Sequence, residues 1–105
     1  MIQTTITILG HTYHISECDP GMWCSNGMGR SDVRRGTIEL NIAMTDDVKR
    51  STLIHEVIHQ LADILDISSI RESESNISAL AAGFYTILKD NPELVSWLIK
   101  RDVME

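Results

Sequence analysis

The sequence predicts an α+β domain, with a small sheet of three strands, antiparallel or mixed, packed on three helices. Two observations predict it. β-Branched alternation is confined to residues 1–44, and helical spacing of apolar residues takes over across 45–105. The full 105 residues suit one domain, with the hairpin, a long loop and a third strand in the first part and the helices in the second.

Ile2, Thr4, Ile6 and Ile8 alternate with Gln3, Thr5, Thr7 and Leu9, the period of a strand. Gly10-His11 reads as a turn, and Thr12 to Ile15 as the returning strand of a hairpin. Residues 16–36 hold four of the six glycines (Gly21, Gly27, Gly29, Gly36), Pro20, Asn26 and both cysteines, and read as one long loop. In a domain this small, such a loop either serves function or hides an element. Alternation returns over 37–42 as a third strand.

Thr45 is the expected N-cap of the first helix, with Asp46 and Asp47 in its first turn. Val48, Ile54, Val57, Ile58, Leu61, Ile64 and Leu65 recur at helical spacing to about Asp66. Ser68-Ser69 ends the run. A second helix is expected from near Ser73, carrying Ile77, Leu80, Ala81, Phe84, Ile87 and Leu88. Asn91-Pro92 supplies an N-cap and an N1 proline for a third, running to about Arg101.

Fifteen acidic against nine basic side chains give a net charge of −6, which argues against a nucleic-acid groove or an anionic membrane surface. No apolar run approaches the roughly 18–20 residues of a bilayer span. The first residues, Met1 to Thr5, lack the basic and apolar regions of a signal peptide, so a cytoplasmic chain is expected. In that reducing setting Cys18 and Cys24 are expected as free thiols. Their spacing is wider than that of zinc ribbons, and a disulfide there would only pin its own loop.

Chemistry concentrates in His55-Glu56-Val57-Ile58-His59, an HExxH motif. His55 and His59 stand one turn apart, so both imidazoles leave the same helix face and can each give a nitrogen to one Zn²⁺ at about 2.0–2.1 Å. Glu56 lies about 100° round the helix from His55 and about 60° from His59. That direction suits a general base acting on a water, whose pKa zinc lowers from 15.7 to about 7, better than a third ligand. Random order of this composition yields the motif in roughly one chain in a hundred. The motif lies among Leu53, Ile54, Val57, Ile58 and Leu61 rather than on a charged face, which favours a site over two surface histidines.

A catalytic zinc takes three protein ligands. The extension HExxHxxGxxH is excluded, because Ala62 and Leu65 stand where Gly and His are required. The third ligand is then a downstream acid, Glu74 or Glu72; Glu74, in the first turn of the second helix, is the better placed. Asp63 and Ser78 lie in suitable directions to support the ligands. His11, His14, Tyr13 and Tyr85 read as structural.

Thr52 to His59, followed by Ser73-Glu74-Ser75-Asn76-Ile77-Ser78-Ala79-Leu80-Ala81-Ala82-Gly83, resembles the small zinc-metallopeptidase-like proteins of phages and prophages. More distantly it is similar to ImmA/IrrE-type metallopeptidases. Aligning the Phe-Ala-Ala of their second helix on Leu80-Ala81-Ala82 puts their glutamate on Glu74. The Leu-Leu-x-Pro ending of that second family is missing here. The resemblance implies a minimal gluzincin-like fold, Zn²⁺ and peptide-bond hydrolysis. The expected function is therefore a zinc metallopeptidase acting on a protein or peptide substrate, with no nucleic acid or membrane as partner. His55, His59 and Glu74 would hold the metal and Glu56 would act as base. Strand 37–42, expected at a sheet edge, would bind extended substrate, with loop 16–36 lining the cleft. The alternative is a regulatory or binding module that keeps zinc as a staple and hydrolyses nothing.

Overall fold

Thr5–Ile8 (β1) and His11–Cys18 (β2) pair as an antiparallel hairpin, within residues 5–19 and 28–100, which the computed structural model describes. The expected strand positions at residues 2–4, the loop residues 20–27, Cys24 among them, and Arg101 lie outside the described residues. Leu9 and Gly10 make the turn at φ of +49° and +84°, one residue earlier than the Gly10-His11 expected. Two left-handed residues are what a tight hairpin with right-handed strands requires.

The α+β class holds, with four strands and four helices in place of three of each. The long loop is shorter than expected, because β2 runs on to Cys18 and a further strand, Gly29–Asp32 (β3), lies inside it. Next comes Thr37–Asn41 (β4), and the sheet order is β1-β2-β4-β3. β2 and β4 run parallel, with Ile15 opposite Ile38; β3 and β4 run antiparallel, with Ser31 opposite Ile38. The strand expected at an edge is thus internal. β3 folds back through a turn in which Asp32 Oδ1 accepts from Arg34 N at 2.9 Å, and covers the side of β4 that would have been free. Among the described residues the edges are β1 and β3.

Asp46–Ile64 (α1) starts where the Thr45 side chain accepts from Val48 N. Two of its faces are apolar. Leu53, Val57, Leu61 and Ile64 lie on the sheet core of Ile8, Tyr13, Ile15, Ile38 and Leu40, while Ile54 packs with Ile58, Ile77 and Ala81. Ile38 and Leu40 are fully buried, each worth about 1.5–3 kcal/mol of transfer free energy, so the α1–sheet contact anchors the fold. Beside the sheet-facing side, toward β3, runs a buried polar stripe at i, i+4, i+8: Thr52, Glu56 and Gln60.

Ser68–Arg71 (α2) is a single turn where only a break was expected. Ser73 then caps Glu74–Asp90 (α3), accepting from Asn76 N at 3.2 Å. α3 lies antiparallel to α1 through a narrow stripe of Glu74, Ile77, Ala81 and Tyr85. Leu80, expected to pack inward, is 37% exposed, because among the described residues nothing covers the outer side of α3. Pro92–Ile99 (α4) begins at the expected proline, but the Asn91 side chain donates back to Ile87 O instead of capping it. α4 buries no residue, which leaves Trp97 and Ile99 on the outside. No helix among the described residues is long and apolar enough to cross a membrane.

Cys18, buried at the end of β2, is disulfide-bonded, contrary to the free thiol expected. That expectation rested on the redox poise of a compartment, which says nothing of whether a strand end holds a sulfur within bonding reach.

β3 approaches α1 closely only because residue 29 is glycine. A Cβ there would meet Thr52 Cγ2 at 2.8 Å and the Glu39 carbonyl oxygen at 2.9 Å. The carbonyl cannot yield without moving β4, and the methyl yields only by turning the Thr52 side chain away from its contact with the Met44 sulfur. Gly29→Ala is expected to cost about 1–3 kcal/mol as overpacking does; a lower midpoint in urea at unchanged slope is the measurement that checks it.

Candidate metal centre

The site is assembled by α1 and α3. One helical turn aligns His55 and His59, and the Ser73 cap starts α3 so that Glu74 opens its first turn against them. The His55 Nε2 and His59 Nε2 atoms are 3.1 Å apart, with ring centroids at 4.8 Å. Glu74 presents one oxygen to each: Oε1 lies 2.7 Å from His55 Nε2 and Oε2 lies 3.1 Å from His59 Nε2. These three residues form a group of ligating atoms able to hold a metal ion.

With the Glu74 carboxylate ionised, protons alone satisfy that geometry poorly. If both Nε2 atoms carry hydrogen, two N–H groups abut each other. If one does not, a bare nitrogen lone pair faces a carboxylate oxygen. A cation among the three meets every donor at once. Ligands of a tetrahedral zinc, at about 2.0–2.1 Å from the metal, are about 3.3 Å from one another. The observed 2.7–3.1 Å needs only a slight opening to reach that figure. Two imidazoles and one carboxylate suit a first-row transition metal, zinc among them, rather than magnesium or calcium.

A cleft of about 670 Å³ surrounds the group. Glu56 lines it and is 6% exposed, with its Oε1 accepting from the Ser31 hydroxyl at 2.7 Å. The opposite wall is β3, through Gly29, Arg30 and Ser31. Asp63 and Ser78 also line the cleft, but among the described residues neither bonds an imidazole. Glu72, the alternative ligand, instead faces Arg71 at 3.9 Å.

The remaining candidates lie elsewhere. His11 and His14 are exposed on β2. Tyr85 donates to Asp47, tying α3 to the start of α1; that bond, with Lys89 beside it, holds the Asp47 carboxyl below its ordinary range. Tyr13 is fully buried and donates to Gln60. Ser31 and Gln60 were not anticipated. Gln60 had a readable signal, since it follows Glu56 by four residues on one helix face; Ser31, in an aperiodic stretch, had none.

Set against protein-family models, curated proteins and solved structures, the chain has no match in any of the three comparisons.

Proposed function

We propose that this chain is a zinc-dependent metallopeptidase. The observation that carries the reading is the convergence of His55, His59 and Glu74 in the cleft that Glu56 also lines. His55, His59 and Glu74 would hold the ion. When bound, zinc supplies Lewis acidity that polarises a carbonyl and makes water a nucleophile near neutral pH. Glu56 takes the proton of the attacking water on its carboxylate and delivers it to the departing amine. β3, an edge strand among the described residues and a wall of the cleft, replaces strand 37–42 as the place where an extended protein or peptide substrate adds.

The experiment incubates the zinc-loaded chain with a mixed peptide library and reads new termini by mass spectrometry, with a chelator control. Chelator-sensitive cleavage is expected. Stoichiometric zinc with no cleavage would assign the site to stabilising a regulatory or binding module instead, and no zinc would end both readings.

A further inference from the structure

Three elements meet on the general base through one chain of hydrogen bonds. Tyr13 Oη on β2 donates to Gln60 Oε1 at 2.8 Å. Gln60 Nε2 on α1 donates to Ser31 Oγ at 2.7 Å. Ser31 Oγ on β3 donates to Glu56 Oε1 at 2.7 Å. Tyr13, Gln60 and Glu56 are 0%, 3% and 6% exposed and Ser31 is half-buried, so water competes little for these bonds.

The chain has one direction. A phenol has a single hydrogen, and giving it to the amide oxygen leaves the Gln60 NH₂ to face Ser31. The serine hydroxyl, receiving there, sends its only hydrogen to the carboxylate. Burial raises the pKa of the Tyr13 phenol, with the Asp63 and Asp32 carboxylates adding to the rise, which keeps it a donor. A glutamate has three side-chain torsions, and a proton acceptor in the wrong rotamer is out of reach of its water. The bond from β3 removes that freedom.

We propose that Ser31 is a positioning residue for Glu56, with its hydroxyl held in the donating orientation by Gln60 and, through Gln60, by Tyr13. This rests on the reading of Glu56 as general base. It also gives β3 a second role: the strand that forms the cleft wall also aims the base across it.

The test compares Ser31→Ala, Ser31→Thr, Gln60→Met and the double variant S31A/Q60M. Activity on a peptide taken from the library is expected to lose roughly 10- to 100-fold in kcat for Ser31→Ala, with KM and zinc per chain unchanged. Threonine, which keeps the hydroxyl, restores it. The double variant, which also removes the amide donor stranded by Ser31→Ala, is expected to be no slower than Ser31→Ala alone. A second readout needs neither zinc nor turnover. In NMR of the metal-free chain, the two Glu56 γ-protons are expected to be distinct and to show cross-relaxation to Ser31 β-protons. They should coalesce in Ser31→Ala and separate again in Ser31→Thr. Wild-type kcat together with a fixed Glu56 rotamer in Ser31→Ala overturns the proposal, as do losses that multiply in the double variant. If wild type cuts no peptide, the peptidase reading falls on its own, and the NMR comparison alone decides whether Ser31 fixes Glu56.

Discussion

Glu56→Gln is expected to lower cleavage by about 10²–10⁴-fold, the usual share of a positioned general base, without loss of fold or metal. The reason is local. Gln has the shape of Glu, and its amide oxygen accepts the Ser31 hydroxyl that Glu56 Oε1 accepts now. The buried bond chain back to Tyr13 therefore stays complete, and no donor is stranded. Alanine would be a poor substitute, because it opens a cavity at a side chain only 6% exposed and strands the Ser31 hydroxyl. Three measurements are needed together: kcat on a library-selected peptide, zinc per chain and the melting temperature. Cleavage retained in Glu56→Gln removes this residue from the mechanism. Cleavage lost together with zinc would show that Glu56 supports the metal site rather than the reaction.

What was legible in the sequence is what is local. His55, Glu56 and His59 fall within one turn of a helix whose start Thr45 announces, so their shared face follows from helix geometry alone. Glu74 was readable for the same reason: Ser73 caps α3, and a cap places the next residue in the first turn. Strand order was not readable, because it depends on pairings between distant segments. Gly29-Arg30-Ser31-Asp32 has no apolar alternation, yet it pairs along β4 and covers the edge assigned to substrate. Ser31 points its hydroxyl at a carboxylate, and Gly29 has to be small against Thr52; neither demand leaves a hydrophobic period. The outer face of α3 misled in the opposite sense. Its apolar spacing is that of a buried helix, but among the described residues Leu80 and Phe84 have no partner layer to enter.

Removing the metal should have the largest effect on stability. An ion that binds only the folded chain stabilises it by RT ln(1 + [L]/Kd), about 4.1 kcal/mol at a thousandfold excess over Kd. For a domain of this size each kcal/mol moves Tm by about 4–8 °C, so chelation should lower it by about 15–30 °C. Substitution separates the ion from the side chains. Glu74 is 66% exposed and His55, half-buried, 22%, so in metal-free protein their loss should cost little beside the ion's contribution. With zinc present, Glu74→Ala leaves two imidazoles and His55→Ala leaves one imidazole and a carboxylate, too few donors for a catalytic site. Both variants should therefore melt near the chelated wild type whether or not zinc is added. Calorimetric scans of the three proteins, each with zinc and with chelator, give six melting temperatures, of which only zinc-loaded wild type should stand apart. A wild-type Tm indifferent to zinc and chelator alike would mean that the three residues meet for another reason. Glu56 would then have no nucleophile to prime.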